Sequence, residues 1–138
     1  LAGNVNIVKH YAAFADQNPS DPRPLKIAEF HAERAVELRP DVSWARDTLA
    51  TLYVKQGRIE EGIEQTREQL RLIDERIGPL GMVRDTTSSR VRLANYFHQQ
   101  GRYEEAIEQL QAALRNRPGD PDLLRSLDIA LSTTRPAR

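Results

Sequence analysis

Residues 93–109 read LANYFHQQGRYEEAIEQ, and residues 49–65 read LATLYVKQGRIEEGIEQ. The two superimpose without a gap, with Gly57 and Gly101 lying 44 positions apart. Leu49 pairs with Leu93, Ala50 with Ala94, Tyr53 with Phe97 and Ile59 with Tyr103. Apolar residues recur at three and four on each side of the glycine, which predicts two helices joined by a tight turn. The small residue, Ala50 or Ala94, suits a close approach of antiparallel helices, and the aromatic fills the gap one turn on. The glycine supplies a positive φ. A helix–turn–helix unit that recurs in one chain stacks on its own copies as a solenoid.

Outward from this core, proline and glycine punctuate the rest. They cluster at Pro19 to Pro24, Pro40, Gly57, Gly78 to Gly81, Gly101 and Pro118 to Pro121, and predict seven helical segments. The first covers 5–17, with Ile7, Val8, Tyr11, Ala12 and Ala15 as its apolar stripe. The second covers 24–38, with Ile27, Ala28, His31, Ala32, Ala35 and Val36 facing one way and a Glu29–Glu33–Glu37 ladder facing the other. The third covers 42–56 through Ala45, Leu49, Leu52 and Tyr53. The fourth runs from Ile59 to Ile77, and Gly78 to Asp85 is read as a loop. The fifth (87–100) and sixth (103–116) form the second hairpin of the matched pair. The seventh opens on Asp120-Pro121, an N-cap followed by proline in the first turn, and runs to 132 through Leu124, Leu127 and Leu131.

Composition narrows the function. The 138 residues carry 20 basic and 20 acidic side chains, and the absence of cysteine excludes disulfides, zinc thiolates and thiol catalysis. Neutral net charge argues against nucleic acid and anionic membranes as partners. No stretch is apolar enough for a membrane span. His10, His31 and His98 lie on three different helices without metal-ligand spacing, and no nucleophile elbow, P-loop or paired-carboxylate site is present. No enzyme activity, metal or cofactor is expected. The pairs Glu60-Glu61 and Glu104-Glu105 fall in the first turns of helices, where the dipole favours acids. The sequence starts at Leu1 and not at Met, which reads as a processed product or a piece of a longer protein. Compartment stays open between cytoplasm and periplasm for a soluble chain.

These residues resemble the tetratricopeptide repeat. Leu93, Ala94, Phe97, Gly101, Tyr103, Ala106, Ala113 and Pro118 stand at its signature places, with Arg90 where a tryptophan is common. In the preceding unit Leu49, Ala50, Tyr53 and Gly57 agree, while Gly62 and Gln69 replace alanines and Asp74 replaces the proline. The lengthened helix to Ile77 is similar to repeats of kinesin light chain. In the first unit Ala28, Ala35 and Pro40 fit, and Pro19 to Arg23 lengthens the turn. The resemblance implies an all-α, right-handed α-solenoid in one domain over 1–138: repeat 1 at 5–40, repeat 2 at 42–77, repeat 3 at 87–118 and a capping helix at 120–132.

The resemblance also implies a concave groove lined by the first helix of each pair. Residues on those helices left over from packing are then the candidate contacts for a peptide or partner protein: Lys9, Asp16, Asp47, Thr51, Lys55, Arg92, Asn95, His98 and Gln99. Members that clamp a peptide's terminal carboxylate need five polar residues. Lys9 and Arg92 occupy two of these places, whereas Ala13, Thr48 and Ser88 fill the others, which argues against that mode. Trp44, the sole tryptophan, either staples the core or anchors a ligand, and Leu80, Met82 and Val83 in the 78–85 loop either fold over the stack or form a contact patch. The reading is a protein-interaction scaffold. The alternatives are an assembly or regulatory domain of a larger protein, of a bacterial envelope or secretion system for example, and an RNA-binding helical repeat. Oligomeric state is open.

Overall fold

The computed structural model describes residues 2–40, 43–75 and 86–134. Among them lie seven α-helices: α1 (Ala2–Gln17), α2 (Arg23–Leu38), α3 (Ser43–Lys55), α4 (Ile59–Glu75), α5 (Thr87–Gln99), α6 (Tyr103–Asn116) and α7 (Pro121–Thr134). The fold is all-α. The expected loop at 78–85 and the end of the fourth helix at Ile77 lie outside the described residues. Two compact units divide the chain, Leu1–Gln65 and Thr66–Arg138.

The same turn closes two of the hairpins. Gly57 and Gly101 take φ of 79° and 72°, a left-handed backbone that a side chain would strain. Gly57 N–H donates to Val54 O (2.9 Å) and Arg58 N–H to Tyr53 O (2.8 Å). Gly101 N–H donates to His98 O (3.0 Å) and Arg102 N–H to Phe97 O (2.9 Å). This pair of bonds, from the glycine and from the residue after it, satisfies helix-end carbonyls that would otherwise lack partners. The side chains then close over the turn. The Arg58 guanidinium sits 4.3 Å from the Tyr53 ring centroid, and Arg102 sits 4.7 Å from that of Phe97. Each arginine also reaches forward to an acid in the next helix, Arg58 to Glu61 (2.8 Å) and Arg102 to Glu105 (2.7 Å). Glu61 and Glu105 thus do more than complement the helix dipole.

A second tie repeats at the same spacing. Arg46 donates to Gln65 Oε1, and Arg90 to Gln109 Oε1, each at 3.1 Å. Arg90 holds the start of α5 to the middle of α6 from the place where the family commonly has a tryptophan. Arg90 Nε and Asn116 Nδ2 both donate to Thr86 Oγ1 at 3.0 Å, so the chain entering α5 is held as well. Proline ends α2 and α6. A residue before proline is kept out of the α region, and Arg39 (φ −138°, ψ 78°) and Arg117 (φ −137°, ψ 75°) adopt matching extended geometries before Pro40 and Pro118.

In the N-terminal unit α2 packs between α1 and α3. Ala28, Ala32 and Ala35 are fully buried along α2, and their small side chains let the neighbouring helices approach. They join Val8, Leu49, Leu52 and Tyr53 in the core. Of the expected Glu29–Glu33–Glu37 ladder, Glu37 is exposed, whereas Glu29 and Glu33 are half-buried and engaged by α3 and the turn after it. Tyr53 OH donates to Glu33 (2.9 Å), and Gln56 (2.9 Å) and Arg58 (2.6 Å) donate to Glu29. The reason is geometric: α3 covers this side of α2. Ile27, Phe30 and Leu38 take the outer face instead, and all three are exposed. Burial alone would raise the Glu29 carboxyl, but the hydrogen bonds from Gln56 and Arg58 outweigh it and hold the group below the usual carboxylate range.

In the C-terminal unit α6 packs on both α5 and α7. Leu93, Ala94, Phe97, Ala106, Leu110 and Ala113 are buried as expected, and Tyr96 joins them. Asp120 caps α7: its Oδ1 accepts from the N–H groups of Asp122 (3.0 Å) and Leu123 (3.2 Å). The inward stripe of α7 differs from the expected Leu124–Leu127–Leu131. Leu123 and Ala130 are buried, and Leu124 (48%) and Leu131 (36%) are exposed. A leucine-rich helix offers two overlapping stripes, and α6 covers only one.

Gly62 is a close-approach position. A Cβ there would lie 2.7 Å from Val54 Cγ2 and 3.1 Å from Ala50 O. Alanine gains about 1 kcal/mol over glycine in a helix interior, but overpacking costs about 1–3 kcal/mol. Gly62→Ala should therefore lower the melting temperature, and Val54→Ala in the same chain should recover most of the loss. The Glu29 contacts set a second expectation. A carboxyl that titrates lower when folded stabilises fully at neutral pH and loses that contribution as pH falls through its folded pKa. Glu29→Gln should lower the melting temperature at neutral pH, and the gap to wild type should narrow as the pH falls below the ordinary carboxylate range. Thermal melts followed by circular dichroism measure both.

Candidate functional site

The candidate contact residues fall on α1, α3 and α5, and each compact unit brings some of its own together. In the N-terminal unit Lys55, in the last turn of α3, reaches Asp16 near the end of α1 at 2.7 Å. Both side chains are solvated, with 35% and 62% exposure, so the pair contributes at most about 1 kcal/mol. Its main effect is to align the two helix ends. Thr51 is exposed, and its hydroxyl donates back to Asp47 O at 2.9 Å. Asp47 is half-buried and Lys9 exposed. Trp44 is half-buried in the first turn of α3, beside the fully buried Ala45.

In the C-terminal unit Asn95 and His98 line a pocket of about 170 Å³ with Ala94 of α5, Ala106 and Leu110 of α6, and Ser126, Ile129 and Ala130 of α7. Helical spacing makes it. Positions 94, 95 and 98 share one side of α5, and 126, 129 and 130 share one side of α7. The three alanines leave volume that larger side chains would fill. The floor is apolar, whereas Asn95, His98 and Ser126 supply amide, imidazole and hydroxyl groups. The His98 ring meets the Tyr103 ring edge-on, with centroids 5.1 Å apart. Arg92 and Gln99 do not line this pocket; Arg92 is half-buried and Gln99 exposed.

Reading α7 as a cap misses its share of the pocket wall, Ser126, Ile129 and Ala130. A sequence signal for it exists. α5 begins at Thr87 and α7 at Pro121, 34 positions on, which is the length of one tetratricopeptide unit. By that spacing α7 starts one repeat length after α5, and the pocket lies between these two helices.

An apolar floor with a few convergent polar groups suits an aliphatic side chain whose neighbouring backbone amide is hydrogen-bonded at the rim. No group of three or more His, Cys, Asp and Glu among the described residues is arranged to hold a metal ion. No helix there is long and apolar enough to cross a membrane.

The sequence profile of the tetratricopeptide repeat matches residues 41–119, more than half of the chain. The chain belongs to the tetratricopeptide repeat family. No curated protein matches it by sequence. Solved structures do match. TTC0263, a thermophilic tetratricopeptide protein of Thermus thermophilus, superimposes with a TM-score of 0.73 at 22% identity over 91% of this chain. The chain spans 60% of that protein's length. The first repeat domain of Spaghetti (RPAP3), bound to the HSP90 peptide SRMEEVD, matches with a TM-score of 0.68 at 11% identity, covering 94% of this chain and 90% of its own. The N-terminal domain of stress-induced protein-1 from C. elegans matches with 0.65 at 17% identity, covering 91% and 97%. At these identities the likeness is one of fold. The similarity to kinesin light chain repeats rests on a helix reaching Ile77, outside the described residues.

Proposed function

We propose that this tetratricopeptide repeat chain is a protein-interaction module without catalytic activity, holding an extended peptide or a partner's helix on the faces of its first helices. The observation that supports it is the pocket between α5 and α7. Asn95 and His98, both predicted as contacts, stand exposed at the edge of an apolar recess. A repeat fold with exposed polar groups over a small apolar pocket is built for recognition by shape and hydrogen bonds. Each unit carries further candidate contacts, Lys9, Asp16, Asp47, Thr51 and Lys55 on α1 and α3 in one, and Arg92 and Gln99 on α5 in the other. Their charges are mixed, so neither a strongly acidic nor a strongly basic ligand is favoured. The terminal-carboxylate clamp is not carried over, because Ala13, Thr48 and Ser88 lack its side chains. That two neighbours of the same fold hold HSP90 and HSP70 peptides supports peptide binding as the general mode, not that ligand.

Selection of a random linear peptide library against the full chain tests this reading. Selected peptides should share one aliphatic position with polar residues around it. Asn95→Ala with His98→Ala should weaken them by about tenfold or more, while helical circular dichroism stays unchanged. Equal binding to the double variant, or no enrichment at all, would overturn it.

A further inference from the structure

The pocket between α5 and α7 is one end of a longer groove. Towards the starts of the same two helices lies a second recess of about 340 Å³, and Ser126 lines both. Their walls repeat at a fixed step. On α5, positions 87, 88 and 91 line the second recess, and 94, 95 and 98 the first. On α7, positions 122 and 123 line the second, and 129 and 130 the first. Each of these pairs is seven residues apart, which is nearly two helical turns and a rise of about 10.5 Å. The two walls run in the same direction, because the starts of α5 and α7 share the second recess.

The chemistry of the two recesses differs. The floor of the first is apolar. In the second, Val91 and the buried Leu123 make a short apolar floor, and Asp120 and Asp122 line it with Arg117. Two carboxylates against one guanidinium favour a cation. Asp122 is 88% exposed, and its contact with Arg125 is long, at 3.7 Å, so a ligand cation can displace it. A lysine or arginine lays an aliphatic stem on such a floor and keeps its charge at the rim.

The step between the recesses selects the form of the ligand. In an α-helix, residues seven apart share one face and lie about 10.5 Å apart. In an extended strand, residues on one face are about 7 or about 13 Å apart, and in polyproline II about 9.3 Å. The geometry points to a partner protein's helix lying along this groove, with an aliphatic residue in the first recess and a lysine or arginine seven positions later in the second. It rests on the reading of the α5–α7 pocket given above, and chooses the helix over the extended peptide. The helix runs antiparallel to α5 and α7, which sets its negative end beside their positive starts.

Stapled alanine-based helices, tested on the full chain by fluorescence anisotropy, decide it. A helix with Leu and, seven positions later, Lys should bind saturably. Moving the Lys to five positions after the Leu turns it to the far side of the helix and should weaken binding about tenfold or more. Replacing the Lys by Glu should cost as much. Asp120→Asn with Asp122→Asn, which keeps a good cap on α7, should make the Lys and Glu helices bind alike. An unstapled peptide with a central proline retains both side chains and should bind about tenfold or more weakly. No saturable binding, equal binding of the proline or five-position peptide, or a Lys preference that is absent in wild type or survives in the asparagine variant would overturn the proposal. The pocket reading fails separately. Library peptides that depend on Asn95 and His98, with stapled helices that do not bind, would sink the helix alone. Stapled helices that bind the Asn95→Ala, His98→Ala chain as tightly as wild type would sink both.

Discussion

Everything distinctive in the two matched hairpins depends on one turn: a glycine at positive φ whose neighbouring arginine folds back over the aromatic in the last turn of the helix. The glycine makes the reversal possible. The arginine amide closes the backbone bond to the aromatic's carbonyl, and its side chain covers the aromatic ring. The same guanidinium then binds an acid in the first turn of the following helix. One residue thus ends a helix, screens the core aromatic from water and anchors the next helix. With the turn set, the alanines of the facing helices come into register and the hairpin can close.

The remaining ties position the hairpins' far ends. Arg46–Gln65 and Arg90–Gln109 hold the opening helix of each pair to the middle of the closing one. Proline at 40 and 118 stops the closing helix and leads the chain towards the next unit. The pocket in the C-terminal unit follows from this scheme. Helices α5 and α7 flank α6, and small residues at 94, 106 and 130 leave a recess between them. Pocket and packing therefore come from the same pattern: where two helices must come close, side chains are short, and short side chains leave a recess.

The repeat was legible because its parts carry backbone constraints. Glycine, proline and alanine at fixed spacing place turns, stops and close contacts whatever the surroundings, so seven helices and most core positions follow from the residues alone. What failed was orientation within ambiguous helices. α7 has leucines on two adjoining stripes, and only the position of α6 decides that Leu123 is buried and Leu124 exposed. The Glu29–Glu33 ladder looks solvated from its own helix and is engaged because α3 approaches it. Long polar side chains were the least legible. Arg58 and Arg102 stand in the repeated passages in plain view, but a cation over a ring depends on a turn geometry that no local pattern displays. In the candidate site, exposed residues of α5 were readable from spacing, and the α7 wall was not, since a terminal helix reads as a cap until its 34-residue spacing from α5 is noticed.

Backbone amide hydrogen exchange tests the central claim most directly. If the arginine-closed turn anchors the hairpins, the amides of Arg58 and Arg102 should exchange as slowly as those in the middles of α3 and α5, although both residues lie in turns. Exchange of those two amides at the rate of an open loop, with the helices themselves still protected, would contradict it.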